Sequence, residues 1–379
     1  MMKYILIFFT IASSSHLVWS QITNKLEAID DFYTNYIPSN IDSVLLQWTG
    51  NAASCHAGTI SATAKSKLLQ RINYFRRMVG VEDQIVFSSA LDDKCQQAAL
   101  MMHANSQLSH LPPANWSCFT SVGAEAAGKS NLQGRASGIP IDNINPINSY
   151  VEDRGSGNEV VGHRRWLFNS KATEFGVGQT SRYNALWVLQ NINNPSIYNN
   201  YIAYPPDGYI PNMLVYDRWS FSIPEADYST ATVIIKDSNN SNIPLSIVSN
   251  DAIGYADNTI VWEPASIITD SSEDVLYDVT INGVVLSNGT TRDYTYTTKI
   301  FNPIILGDVN LDGQLDIGDA LQIARYSVGI GIIGNCNNLI TGQLCLSNAD
   351  VDNDLQINVG DALLIAQCTV GITNVLCPN

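Results

Sequence analysis

The chain has 379 residues, 20 Lys+Arg against 35 Asp+Glu, and a formal net charge of -15. At about 100–200 residues per domain the length predicts two or three domains, and an apolar fraction of 45% excludes a wholly disordered chain. The acidic balance counts against DNA, RNA and anionic lipid surfaces as primary partners.

Residues 1–20 read as a secretory signal: Lys3 is the positive start, Tyr4 to Ala12 the apolar stretch, and Val18-Trp19-Ser20 the cleavage region before Gln21. The stretch is too short to span a bilayer, and no later run reaches the ~18 apolar residues a membrane helix needs. The mature chain is therefore expected outside the cell, soluble or attached to a surface; an uncleaved N-terminal anchor is the alternative. Seven cysteines suit an oxidising compartment. Cys55, Cys95 and Cys118 leave one odd thiol in front, and Cys95 on a predicted helix is expected to be buried. Cys336, Cys345, Cys368 and Cys377 allow two disulfides in the tail, with the pairing open.

Residues 21–63 are taken as an N-terminal extension and 64–192 as the first domain. Leu68, Ile72, Phe75 and Val79 share one face of a predicted helix over 64–79. A second helix is predicted over 90–108, started by Ser89 with Asp92 three residues on. Pro112-Pro113 ends it just after His110. Loops around a short helix near 144–153 follow, and then a strand pair at 175–178 and 185–189. There is no Gly-x-Ser-x-Gly and no His-Glu-x-x-His. His110, Glu125, Asp153 and His163 remain as a candidate catalytic tetrad, because two imidazoles and two carboxylates can bind Zn²⁺ or perform acid–base work. Arg164 and Arg165 read as structural rather than anion-binding. The tryptophans read as core rather than sugar-stacking platforms.

Five segments carry a resemblance in this order: Asn73-Tyr-Phe-Arg, Leu108-Ser-His, Gly123-Ala-Glu-Ala-Ala, Val161-Gly-His-Arg-Arg-Trp and Phe175-Gly-Val-Gly. Over about 64–192 they resemble the CAP superfamily, the cysteine-rich secretory, antigen 5 and pathogenesis-related group, in its bacterial secreted form. The resemblance implies an α/β/α sandwich with a central antiparallel sheet. It also implies that His110, Glu125 and His163 line one cavity, with Asp153 as the fourth member and Glu152 as its rival. In the metal-assisted alternative, zinc is the cofactor these histidines and carboxylates would take.

Residues 193–225, rich in Asn, Pro and Tyr, are expected to be an irregular connection. Five short runs, Thr230–Lys236, Ile243–Val248, Thr259–Trp262, Leu276–Ile281 and Tyr294–Ile300, predict a small antiparallel β-sandwich over 226–302. The fold class is thus α+β and multidomain.

The segment 303–379 holds an internal repeat with an offset of 42 residues. The first copy places Asp308, Asn310, Asp312, Asp316 and Asp319 at loop positions 1, 3, 5, 9 and 12, with the Gln314 carbonyl at 7. The second places Asp350, Asp352, Asp354, Asn358 and Asp361 likewise, with the carbonyl of Gln356. This is the spacing of a calcium loop, hard oxygen ligands in a tight turn that runs into a helix. Gly313 supplies the sharp turn, whereas Leu355 holds that place in the second copy at some cost in strain. From Gly307 onward the eight Asp all lie in these loops, with no Glu, no Lys and only Arg325 to oppose them.

Two loop–helix copies with Asp at position 12, placed at the C-terminal end, resemble a dockerin over about 308–372. The resemblance implies an all-α module that binds two calcium ions and docks onto a cohesin-type partner on a scaffold or cell surface. Ile317-Gly318 and Val359-Gly360 replace the usual Ser/Thr recognition pairs, so the partner's identity stays open. The expectation is a secreted protein that binds an extracellular ligand. The alternative is a metal-assisted hydrolase of peptides or, by association with the dockerin-like tail, of polysaccharides.

Overall fold

The computed structural model describes residues 22–134, 145–189, 200–252, 254–271, 273–331, 333, 346, 348–374, 376 and 377. The expected export signal, Cys336 and Cys345 lie outside these residues. Among the described residues no helix is long and apolar enough to cross a membrane.

The first described elements are α1 (Lys25–Asp31), a π-helical turn at Phe32–Tyr36 and α2 (Ser43–Leu46). Far from trailing as an extension, this segment is packed into the first domain. Phe32 and Ile41 are fully buried, and Tyr36 lies 5.2 Å from Tyr74 between ring centroids. Its turns also supply acceptors for a buried cation. Arg71 donates to Ser39 Oγ at 2.7 Å and to Tyr36 O and Asn40 Oδ1 at 2.8 Å, which offsets the cost of removing a guanidinium from water.

The helix α3 (Ala62–Met78) starts at Ser61, whose hydroxyl accepts from Ala64 N at 3.0 Å. Leu68, Ile72 and Phe75 are fully buried, as their spacing predicts. The next helix, α4 (Ser89–Asn105), begins where expected, but Asp92 does not cap it. Its carboxylate instead accepts from Val177 N at 2.7 Å and pairs with Lys65 at 2.8 Å. The short helices α5 (Ser121–Gly128), α6 (Ile147–Glu152) and α7 (Gly162–Leu167) follow.

Four strands, β1 (Val86–Phe87), β2 (Ser130–Gly134), β3 (Glu174–Gln179) and β4 (Tyr183–Trp187), form one sheet in the order β1-β3-β4-β2. The expected antiparallel sheet is met except at its edge, where β1 runs parallel to β3. Period-2 alternation sorts the side chains onto two faces. Phe175, Val177 and Leu186 join the core that holds Leu68, Ile72 and Phe75 of α3. Leu132, Ala185 and Trp187 join Cys95, Ala98 and Met102 of α4 and Ala126 and Ala127 of α5. Helices therefore cover both faces. The Phe-Gly-Val-Gly run makes this possible, because a Cβ at Gly178 would lie only 2.2 Å from the Cys95 carbonyl carbon.

Beyond this domain come β5 (Ile202–Tyr204), β6 (Gly208–Pro211), β7 (Trp219–Ser222), β8 (Thr232–Asp237), β9 (Asn242–Ile243), β10 (Leu245–Ala252), β11 (Thr259–Pro264), β12 (Val275–Val285) and β13 (Thr291–Phe301). One sheet runs β10-β11-β7-β5 and the other β6-β13-β12-β8-β9. All five predicted runs are strands. The connection 193–225 is corrected: its described part gives β5 and β7 to one sheet and β6 to the other. The β6–β13 pair is parallel, so the unit is not purely antiparallel. Trp219 and Trp262 are fully buried and belong to the core.

In the tail, α8 (Ile317–Ser327) and α9 (Val359–Thr369) each follow one acidic loop. Both carry a capping box, formed by Asp316 with Asp319 and by Asn358 with Asp361. Disulfides join Cys55 to Cys118 and Cys368 to Cys377, while Cys95 is free and buried.

Candidate functional site

His163 sits in the first turn of α7, and what precedes that helix determines how the ring is held. Asp153 ends α6 in the left-handed conformation, with φ 53°, and is 1% exposed. The turn carries its carboxylate to the start of α7. There Oδ1 accepts from His163 Nδ1 at 2.7 Å, and Oδ2 accepts from the backbone N–H of His163 at 2.8 Å and of Arg164 at 3.3 Å. One carboxylate thus satisfies two orphan N–H groups of the helix and fixes the ring. Tyr150 stacks on the imidazole at 5.5 Å and 23°. From the other side Asn131 Nδ2 donates to His163 O at 3.0 Å.

Between the rival carboxylates the geometry favours Asp153, since Glu152 pairs with exposed Arg154 at 2.7 Å. Arg164 is buried and donates to Val151 O at 2.5 Å and Arg218 O at 2.8 Å. Arg218 in turn donates to Asp153 O and Asn158 O, both at 2.9 Å, which ties the 153–158 loop to the β-unit. These arginines hold the backbone of the site, as the structural reading of Arg164 expected.

His110 lies in the loop after α4. Its Nδ1 donates to Ala127 O, near the end of α5, at 2.9 Å. A carbonyl only accepts, so Nδ1 carries a proton, and in the neutral ring Nε2 is the atom left with a lone pair. The carboxylate of Asp153 holds the same tautomer at neutral His163. Both Nε2 atoms are without a protein hydrogen-bond partner among the described residues.

His110 and His163 line one cavity of about 640 Å³. Glu125 does not line it. Its half-exposed carboxylate pairs with Lys94 at 2.8 Å and Lys129 at 3.5 Å, and these cations hold its pKa below the usual carboxylate range, with the Lys94 hydrogen bond the main cause. The expectation that Glu125 shares the cavity is therefore corrected. A helix spacing alone does not say which face of α5 turns inward. The wall is completed by Ser130, Asn131, Asn158 and Trp166, and by Gly254 and Tyr255 from the β-unit. Trp166 was legible as the end of the Gly-His-Arg-Arg-Trp segment, though it was read as core. Tyr255 gave no signal, because its stretch reads only as a turn.

The cavity offers two imidazoles as metal ligands, but the carboxylates expected beside them are committed elsewhere. Both oxygens of Asp153 face α7 and Glu125 faces lysines. The tail offers a different donor set. Ligand oxygens of Asp350, Asp352 and Asp361 lie within 4.8 Å of one another. In the first loop Asp308 and Asp319 are fully buried. Burial, followed by the Asp319 charge, pushes the Asp308 carboxyl from its ordinary 3.8 up to about 6. Gly313 and Leu355 both adopt left-handed backbone, with φ 84° and 67°, so the strain expected at Leu355 is present. Hard oxygen donors in this arrangement suit Ca²⁺.

Residues 69–190 match the family model CAP, the cysteine-rich secretory protein family. The match supports the CAP resemblance for this part of the chain, and it takes in all four tetrad positions. Members of the family are typically secreted. Searches of curated proteins and of solved structures find no match.

Proposed function

We propose that this chain is a secreted protein that binds an extracellular ligand in the CAP-domain cavity and attaches to a scaffold or surface through a calcium-folded, dockerin-like tail. The observation that carries the ligand site is the convergence of His110 and His163 on one cavity, with Asp153 holding His163 from behind. The volume is within the range of about 300–1,000 Å³ usual for small-molecule sites. Two preset imidazole lone pairs suit them to accept hydrogen bonds from a ligand.

In the tail, Asp308, Asn310, Asp312, Asp316 and Asp319, with the carbonyl of Gln314, would hold one Ca²⁺. Asp350, Asp352, Asp354, Asn358 and Asp361, with the carbonyl of Gln356, would hold a second. The ions would relieve the repulsion among these carboxylates and so stabilise the loops from which α8 and α9 start. A docking role is supported by a duplicated apolar face. Ile317, Leu321, Val328 and Ile330 are 62%, 57%, 66% and 59% exposed, and their repeat mates Val359, Leu363, Val370 and Ile372 are 67%, 57%, 71% and 52% exposed. Such faces mark interaction sites. A cohesin-type protein is the partner that the repeat architecture favours.

A second reading, metal-assisted hydrolysis, has one observation in its favour. A metal-binding histidine is commonly oriented by a carboxylate on its other nitrogen, as Asp153 does for His163. His110 and His163 would then hold zinc, whose chemistry is to polarise a carbonyl or bound water. Glu125 does not fit as the base. Calorimetric titration of the full chain separates the two readings. Calcium is expected to bind at two sites that are lost in Asp319→Ala and Asp361→Ala. With calcium saturating, zinc is expected to give no event that His110→Ala with His163→Ala removes. Micromolar zinc binding that depends on both histidines would support the hydrolase reading instead.

A further inference from the structure

The β-unit does more than follow the CAP domain, since it contributes Gly254 and Tyr255 to the cavity wall. Tyr255, between β10 and β11, lies in the cavity wall although the residue is 45% exposed. Its loop is anchored to the first domain. The buried carboxylate of Asp257 accepts from Ser170 N and Ser170 Oγ, both at 3.1 Å, while Asp257 O accepts from Arg165 at 3.0 and 3.2 Å. The Arg165 guanidinium lies 5.6 Å from the Tyr255 ring centroid. An exposed aromatic ring held this way is preorganised, so ordering it on binding costs little.

The chemistry of the wall selects among ligands. None of its described residues is Lys, Arg, Asp or Glu, so it offers no fixed charge for an anion or a cation. Among the described residues of the wall, aliphatic side chains are limited to Val160 and Leu189, too few to sheathe an acyl chain. What it does offer is two aromatic rings, Trp166 and Tyr255, together with the amides of Asn131 and Asn158, the Ser130 hydroxyl and two imidazole acceptors. Flat rings complement the C–H faces of a pyranose, and amides, hydroxyls and imidazoles complement its hydroxyl groups.

Resting on the reading of this cavity as a ligand site, we propose that it binds a neutral saccharide, with Tyr255 of the β-unit and Trp166 of α7 as the stacking rings and Tyr255 as a specificity-determining residue. The composite wall makes the CAP domain and the β-unit one binding site.

The test is titration of the full chain, followed by tryptophan fluorescence and calorimetry, with the tetrasaccharides of glucose, xylose, mannose and N-acetylglucosamine. A fluorescent fatty acid serves as the contrasting probe. At least one tetrasaccharide is expected to bind. Tyr255→Ala is expected to weaken that binding about tenfold, and Tyr255→Phe to keep it within about a factor of two, with unchanged thermal melting. Trp166→Ala is expected to abolish the fluorescence response. Saccharide binding that neither Tyr255→Ala nor Trp166→Ala alters overturns the proposal. If the fatty acid alone binds, and His163→Ala removes it, the saccharide inference fails while the ligand-site reading survives. If no probe binds, both fail.

Discussion

Asp153 shows how much one side chain does at this site. Its left-handed backbone suits Asn nearly as well as Asp, but resists a plain side chain. Asp153→Asn should therefore keep the turn while changing the partner offered to His163. Asp153→Ala strains the turn and leaves the His163 and Arg164 N–H groups unmet. We expect Asp153→Ala to be the more destabilising, by about 1–3 kcal/mol for the buried groups it orphans, as measured by urea unfolding. Leu355 makes the opposite case. It is 88% exposed and sits at φ 67°, so Leu355→Gly loses little packing and relieves about 1–2 kcal/mol of left-handed strain. Tighter calcium binding at the second loop, read by titration, is the expected result. At the first loop, the raised Asp308 carboxyl favours the protonated form of the folded, calcium-free tail. Its contribution to stability is fully present below the ordinary 3.8 and is lost as pH rises through about 6. Calcium affinity should rise across the same window, with proton release in the calorimeter. Site residues were legible unevenly. The two imidazoles and Asp153 could be found because the segments around them resemble those of the CAP superfamily, whereas their spacing alone is a weak signal. The outward direction of Glu125 could not, because its pairing with Lys94 and Lys129 is not visible in the spacing of its own helix.

At the scale of elements, the helices and long strands follow from local pattern. Leu68, Ile72 and Phe75 mark the buried face of α3, and the alternation along β12 and β13 survives in their burial. The strands β5, β6 and β7 were hidden because each has only three or four residues. They are strands through their partners: Ser222 faces Thr259, and Trp219 faces Trp262. No reading of 193–225 by itself supplies those neighbours. The glycines of β3 could be noticed without their reason being evident, which emerges only when α4 lies against the sheet. Gly178→Ala should therefore force α4 away from the sheet and destabilise the first domain by about 1–3 kcal/mol or more. Thermal melting followed by circular dichroism tests this; a melting temperature equal to that of the parent would contradict the close approach.

Across the whole molecule, one apolar core runs from Phe32 and Tyr36 through the sandwich to Ile323 and Ile365 of the tail. The tail also touches the start of the chain. Ile305 N donates to Tyr33 Oη at 3.3 Å, and a Cβ at Gly313 would lie 3.2 Å from the Tyr33 ring. Removing calcium should therefore lower the melting temperature of the whole chain and not of the tail alone. Scanning calorimetry with and without a chelator reads this, and a first-domain transition indifferent to calcium would refute it. The contact at Tyr33 also orders events in time. Synthesis runs from the N-terminal side, so Tyr33 is made 272 positions before Ile305. During synthesis the nascent front half waits with that tyrosine uncovered. Its neighbours Ile305 and Gly313 arrive only with the tail, so if the acidic loops take calcium as proposed, the supply of metal where the chain folds sets when this contact is made.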